Sequence, residues 1–225
     1  MLRMRITICL LLAAALSAQN PQPLFENDQV VINQPHPNVD VPGYTHKAHI
    51  HEFNRVMVYM HEGGEYLHYL ADGRKEDLKW HQGQVVWSPS NGWHYSEMKP
   101  DVPPFTGPMI IDIGVKKPGD PAKAKLTALD PLKVDPKHFS LELDNPQVRV
   151  LRMKLGPKES TAVTESSLNR LVVYISDANV RETSGGKPEV VVHKPAEFVW
   201  KAPAKSKIEN LSDKPFEAVI VEFRS

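Results

Sequence analysis

The chain is almost without cysteine: Cys9 is the only one, and it sits in an apolar stretch near the start. The remainder can therefore form no disulfide, and it offers no thiolate as a nucleophile or metal ligand. Stability has to come from a packed core, and 225 residues suffice to bury one without covalent staples. Charge of one sign is equally lacking, since 27 basic residues balance 27 acidic ones and no basic run is interleaved with aromatics. Nucleic acid is disfavoured as a partner on that ground. There is no glycine-rich phosphate loop, no Ser-His-Asp arrangement on a nucleophile elbow and no close carboxylate pair. Any chemistry the chain performs is thus expected to be metal chemistry. Helical periodicity is also scarce after residue 20.

One apolar run does stand out. "MLRMR" carries two arginines, "ITICLLLAAAL" is apolar, and "SAQNPQP" turns small and polar. That order is the signature of a secretory signal peptide, here residues 1–18 with cleavage near Ser17 or Ala18. The run is about a dozen residues long and a bilayer span needs about 20, so no integral membrane segment is expected after cleavage. The mature protein is expected to be periplasmic or secreted, and to have lost Cys9.

What fills the rest is short strands. "RVMVYM", "EYLHYL", "GQVVWSP", "PMIIDIGV", "QVRVLRM", "NRLVVYI", "EVVVH", "EFVWKA" and "EAVIVEF" are rich in Val, Ile, Tyr and Trp and lie between Gly, Pro and Asp-Gly turns. Asp72-Gly73 marks a tight turn. The reading is all-β and antiparallel, a sandwich or a barrel. The chain also repeats itself: "ENDQVVI" matches "DNPQVRV", "FNRVMVYM" matches "LNRLVVYI", "QVVWSP" matches "EFVWKA" and "MIIDIG" matches "AVIVEF", all in the same order. Two copies of one β unit are expected, over residues 24–117 and 138–225. A Pro-, Lys- and Ala-rich linker, residues 118–137, joins them.

The chemistry concentrates in "GYTHKAHIHEFNR". On a strand His49 and His51 point to the same side, with Arg55 of like parity, while His46 faces away. Two imidazoles so placed reach one cation, and a third ligand has to come from elsewhere. His94 in "GQVVWSPSNGWHYSE" is the candidate. A fourth could be Glu97, Glu62 or His68. Met57, Tyr59 and Trp87, of odd parity on their strands, are candidates for the cavity wall, and Trp93 for its mouth. His61, His68 and His81 are expected near turns or the pocket rim, and His36, His138 and His193 have no supporting context.

These motifs resemble the cupin superfamily. Its first signature, a glycine, five residues and His-x-His, is met by Gly43, His49 and His51. Its second is met by Gly83, Pro89, Gly92 and His94, with the turn glycine displaced by one position. The resemblance covers both halves and implies tandem cupin-like antiparallel β-barrels of the double-stranded β-helix or jelly-roll type, a bicupin. It also implies a divalent transition metal, Fe, Zn, Mn or Ni, held by His49, His51 and His94. Two departures matter: Arg55 stands where cupins usually place a glutamate ligand, and Met98 where the second signature has asparagine. A guanidinium cannot ligate a metal. In the second half the positions of His49 and His51 become Thr164 and Ser166, and that of His94 falls near Lys207, so that barrel is expected to be degenerate. Arg170 repeats Arg55 where no metal is expected. The arginine therefore either ties a neighbouring strand or carboxylate, or clamps the anionic group of a ligand together with Tyr59 and Trp87.

The resemblance implies a metal-binding protein, with an oxygenase or isomerase acting on a small organic acid or sugar derivative as one reading. Three-histidine iron sites in thiol dioxygenases of the superfamily imply that the missing glutamate need not abolish oxygen chemistry. A non-catalytic small-ligand-binding or structural bicupin is the other reading, and the residues leave catalysis open. The expected partners are a small-molecule ligand and, for an edge-rich double barrel, a second copy in a homodimer.

Overall fold

Strands whose apolar residues run without a break, such as "RVMVYM" and "NRLVVYI", are expected where a sheet is covered on both faces. The computed structural model, which describes residues 22–33, 43, 45–90, 92–103 and 105–225, shows why they occur here. The proposed signal peptide and His36 lie outside the described residues.

The first half contributes β1 (Phe25–Glu26), β2 (Val30–Ile32), β3 (Asn54–Tyr59), β4 (Gly63–Tyr69), β5 (Lys75–Trp80), β6 (Val85–Ser88), β7 (His94–Met98) and β8 (Ile110–Val115). The second half contributes β9 (Phe139–Asp144), β10 (Val148–Leu155), β11 (Thr164–Ser166), β12 (Arg170–Tyr174), β13 (Ala178–Ser184), β14 (Lys187–His193), β15 (Phe198–Lys201), β16 (Ala204–Asn210) and β17 (Phe216–Phe223). Every pairing between these strands is antiparallel. The first half forms a five-stranded sheet, β1-β2-β8-β3-β6, facing a three-stranded one, β5-β4-β7. The second repeats the order as β9-β10-β17-β12-β15, facing β11-β16-β13-β14. The four repeated sequence blocks fall on β2 and β10, β3 and β12, β6 and β15, and β8 and β17, equivalent places in the two sheets.

Alternation on β3 sends Val56 and Val58 to one face and Met57 and Tyr59 to the other. The first face joins a core shared with Val148, Val150, Leu171, Val173, Val219 and Val221 of the second half. The second face packs inside the first half with Trp80, Met98, Val102 and Met109. The two five-stranded sheets therefore lie back to back, and each half keeps an inner core of its own. Polar contacts across this junction obey the same repeat. Asn54 Nδ2 donates to Gln147 Oε1 at 2.6 Å, and its counterpart Asn169 donates to Gln29 Oε1 at 2.7 Å.

Between the halves, Pro121–Ala124 forms a 3-10 turn and Pro131–Val134 a one-turn helix, each capped by the preceding aspartate. This connecting segment is pinned: Arg149 donates from Nη1 and Nη2 to the two carboxylate oxygens of buried Asp130, at 2.5 and 2.8 Å. His138, which the sequence left without a context, is buried with Nδ1 against both oxygens of Asp135, at 2.8 and 2.9 Å.

Candidate metal centre

The strand-to-strand turns bring the three imidazoles together. His49 pairs with His94 through two backbone hydrogen bonds, N–H to carbonyl in each direction, at 2.8 and 3.0 Å. This places the rings on one face, with centroids 4.7 Å apart. His51, two residues on, brings its ring centroid to 4.7 Å from that of His49 and 5.1 Å from that of His94. Gly92 makes the approach feasible, because its φ of +95° is a left-handed conformation that favours glycine.

The hydrogen bonds of the rings fix which nitrogen is free. His49 Nδ1 lies 2.8 Å from the Lys47 carbonyl and His94 Nδ1 lies 2.9 Å from the Gly92 carbonyl. A carbonyl only accepts, so both Nδ1 atoms carry the proton and both Nε2 atoms present lone pairs. That is how metal-binding histidines are commonly oriented. The Nε2 atoms of His49 and His51 are 3.1 Å apart. Two ligands at about 2.0–2.1 Å from one ion, at tetrahedral or right angles, stand about 2.8–3.4 Å apart. One ligand atom from each of the three residues lies within 4.8 Å of the others.

Electrostatics favours the same state. Burial, followed by the Arg55 charge and the two neighbouring imidazoles, pushes His51 down to about 3. Burial also lowers His94, partly offset by the Gly92 carbonyl. Both rings are neutral near pH 7 and competent as ligands. The donor set thus fits a divalent transition metal.

Arg55 is paired. Its Nη1 donates to Asp112 Oδ2 at 2.7 Å and its Nη2 to Ser88 Oγ at 2.9 Å, tying β3 to both neighbouring strands. The Asp112 carboxylate also compensates the positive charge that would otherwise oppose a cation nearby. Arg55 Nε and Asp112 Oδ1 are buried without a hydrogen-bond partner. Sequence reasoning missed Asp112 and Ser88. The signal was there, since an aspartate interrupting the apolar run "MIIDIGV" needs a partner of opposite sign.

The other expected residues separate. Tyr59 shares the inner face with Arg55 and Met57, and its ring stacks on Trp80 at 4.5 Å. Burial pushes its phenol far up, so it stays protonated. Trp87 does not line this cavity. It pairs directly with Val56, and cross-strand partners share a face, so its indole packs on the core between the halves. Parity within one strand does not fix the face it shares with the next; the register between the strands does. His68 pairs with Tyr95, next to the Tyr69–His94 pair, and so faces away from the triad. Its ring stacks on Tyr95 at 4.3 Å, and its Nε2 lies 3.8 Å from Glu97 Oε2. Glu62 accepts from the Gln82 N–H at 3.4 Å. None of these three joins the metal-compatible cluster, and among the described residues no fourth carboxylate or imidazole does. Trp93 is exposed beside His94.

Comparisons with known proteins agree on the fold. No family model matches the chain, and no curated protein does. Among solved structures, AerE from Microcystis aeruginosa covers 91% of this chain and 97% of its own, with a TM-score of 0.57 at 12% identity. A cupin 2 conserved barrel domain protein from Leptotrichia buccalis covers 90% of this chain and 87% of its own, with a TM-score of 0.51 at 15% identity. Salicylate 1,2-dioxygenase from Pseudoaminobacter salicylatoxidans, solved as adducts with gentisate, covers 89% of this chain and 70% of its own, with a TM-score of 0.57 at 12% identity. The chain has the cupin fold in duplicate. In this duplicated fold the three-histidine cluster occurs in the first half.

Proposed function

We propose that this chain is a secreted or periplasmic metal-dependent bicupin that takes a small organic acid or sugar derivative at the His49–His51–His94 centre, in an oxygenase or isomerase type of reaction. The observation that carries this reading is the cluster of three imidazoles whose ligand atoms lie within 4.8 Å of one another, two of them held at Nδ1 by backbone carbonyls, with no fourth side-chain ligand beside them among the described residues. His49, His51 and His94 would hold a divalent ion, which would supply Lewis acidity toward an oxygen donor of the ligand.

The chain's own residues supply the rest. The Lys47 and Gly92 carbonyls hold two ring tautomers fixed, so little reorganisation is needed on binding. Arg55, anchored by Asp112 and Ser88, keeps a fixed positive charge in the interior and its Nε is uncommitted. That favours an acidic group on the ligand. Tyr59, Trp80 and Met98 form an apolar core behind it that excludes water. The signal-like start supports export. Among the described residues no helix is long and apolar enough to cross a membrane. The dioxygenase fold neighbour supports oxygen chemistry as one member of the class. A non-catalytic binder is favoured by one observation: Asp112, the carboxylate on Arg55, is engaged in an ion pair and is a poor general base.

Elemental analysis of untagged protein purified without chelator tests the centre. One equivalent of a transition metal is expected, lost in the His49→Ala/His94→Ala variant. A full metal load in that variant overturns the proposal. Oxygen uptake by iron-loaded protein with a panel of small acids then separates an oxygenase from an isomerase or a binder.

A further inference from the structure

The second half has lost the imidazoles but kept a cavity at their position. Thr164 lies opposite Ser206 on paired strands, as His49 lies opposite His94. Thr164 and Ser166 thus stand at the places of His49 and His51, and Ser206 at that of His94, one residue from the Lys207 expected on sequence. Three hydroxyls are poor ligands for a transition metal. They border a cavity of about 40 Å³, together with Arg170 and an apolar side that includes Met153 and Ile220.

Arg170 is the unusual member. It is 7% exposed, yet its guanidinium makes one hydrogen bond among the described residues, from Nη1 to the Ala202 carbonyl at 2.8 Å. The register explains the difference from Arg55. Met57 pairs with Asp112, whereas its counterpart Val172 pairs with Ile220, so the acid that Arg55 binds is a hydrocarbon here. The other carboxylates on the cavity are engaged elsewhere. Glu222 accepts from Ser166 Oγ at 2.6 Å and from Arg149 Nη1 at 3.3 Å, and Glu182 is paired with Lys201. No carboxylate lies within ion-pair distance of Arg170 among the described residues, although Glu222 and Glu182 act on it at longer range.

A buried guanidinium stays charged and carries five donors in a planar fork. Leaving most of them unmatched is expensive, and a carboxylate is the acceptor whose geometry matches the fork. The hydroxyls of Ser206 and Thr164 can add donors, while Met153 and Ile220 suit a short aliphatic tail. Room for one water takes about 10–15 Å³, so about three to four water-sized groups fit, the scale of a two- or three-carbon acid whose bonded atoms pack closer than waters do. We propose that the second half is a separate site for a small aliphatic monocarboxylate of the size of acetate or propionate, held on Arg170 and independent of the metal centre.

The test uses the whole protein, stripped of metal so that the first half cannot hold the acid through an ion. Propionate is titrated by calorimetry at constant ionic strength, beside propionamide and hexanoate. One propionate per chain is expected, with propionamide and hexanoate at least roughly tenfold weaker. Arg170→Gln should weaken propionate by roughly tenfold or more. Should that variant fail to fold, Ser206→Phe fills the half-buried rim without changing charge, and folding is checked by near-ultraviolet circular dichroism. Binding should be lost in Ser206→Phe and kept in His49→Ala/His94→Ala. No saturable binding to the wild type, equal binding of propionamide, or unaltered binding in folded Ser206→Phe would each overturn the proposal. Loss in His49→Ala/His94→Ala alone would move the acid to the metal centre.

Discussion

Replacing Arg55 by methionine isolates the charge that stands where cupins usually have a glutamate. The Arg55 side chain is 12% exposed and that of Asp112 29%, so the pair is largely but not wholly withdrawn from water. Arg55→Met removes two hydrogen bonds and leaves the Asp112 carboxylate facing an apolar side chain. Breaking a fully buried pair costs about 3–5 kcal/mol, and the partial exposure of Asp112 lets water recover part of that. The expected loss is about 2–3 kcal/mol, or about 5–10 °C in Tm for a chain of this size. Asp112→Asn keeps an acceptor and loses the charge, and should cost about 1–2 kcal/mol. The decisive measurement is the double variant, by reversible denaturant melts of metal-free protein. If the ion pair is the reason for the arginine, Arg55→Met/Asp112→Asn should be less destabilised than the sum of the single changes by about 1.5 kcal/mol. Additivity within about 0.5 kcal/mol would refute the reasoning and leave Arg55 without its assigned partner.

Three further outcomes follow from particular contacts. Gly92→Ala meets no atom within 4 Å at its new Cβ, so its effect is confined to the strained φ of +95°, about 1–2 kcal/mol; competition with a chromophoric chelator should show weaker metal binding, because the carbonyl holding His94 shifts. Trp87→Ala should destabilise by about 2–4 kcal/mol through the core between the halves, and leave metal affinity within about twofold in the same competition assay. Arg149→Met leaves Asp130 and Glu222 buried without their cation, a loss of about 3–5 kcal/mol, and limited proteolysis should cut first between residues 118 and 137.

The sequence was most informative where physics repeats itself. The nine apolar runs fall on strands of the structure, seven of them in the two five-stranded sheets whose shared core their residues enter or pack against, while "EYLHYL" and "EVVVH" fall in the facing sheets, where Val190 and Val192 are exposed. The strands it missed are of another kind. β5, "KEDLKW", alternates between exposed and half-buried positions, and β13, "ANVRETS", and β16, "AKSKIEN", carry charges on their outer faces. Such segments become strands because a neighbour offers a ladder, and composition alone gives little sign of it. The triad was legible because His49, His51 and His94 sit in two spaced motifs, whereas the partner of Arg55 depends on which strand lies next to β3. Trp87 was misplaced for the same reason. Alternation within a strand is local information, but the face shared by two strands requires their register.

The duplicated Asn-Arg pair shows how the two halves divided their tasks. Asn54 and Asn169 do the same thing, each reaching a glutamine of the other half, as a pseudo-twofold junction requires of equivalent residues. Asn54 also accepts from the Ser90 N–H at 2.9 Å, so the junction is tied directly to the turn that leads to His94. The arginines beside them have diverged. Arg55 is paired with an aspartate and its charge reaches His51 and His94, while Arg170 faces hydroxyls and an isoleucine. Nothing in the backbone demanded this, because the paired strands are equivalent in both halves. A scaffold role common to both arginines would call for the same partner in each, and the partners differ. What the repeat holds constant is therefore the junction, through asparagine and glutamine, and what it leaves free to change is the chemistry of each interior.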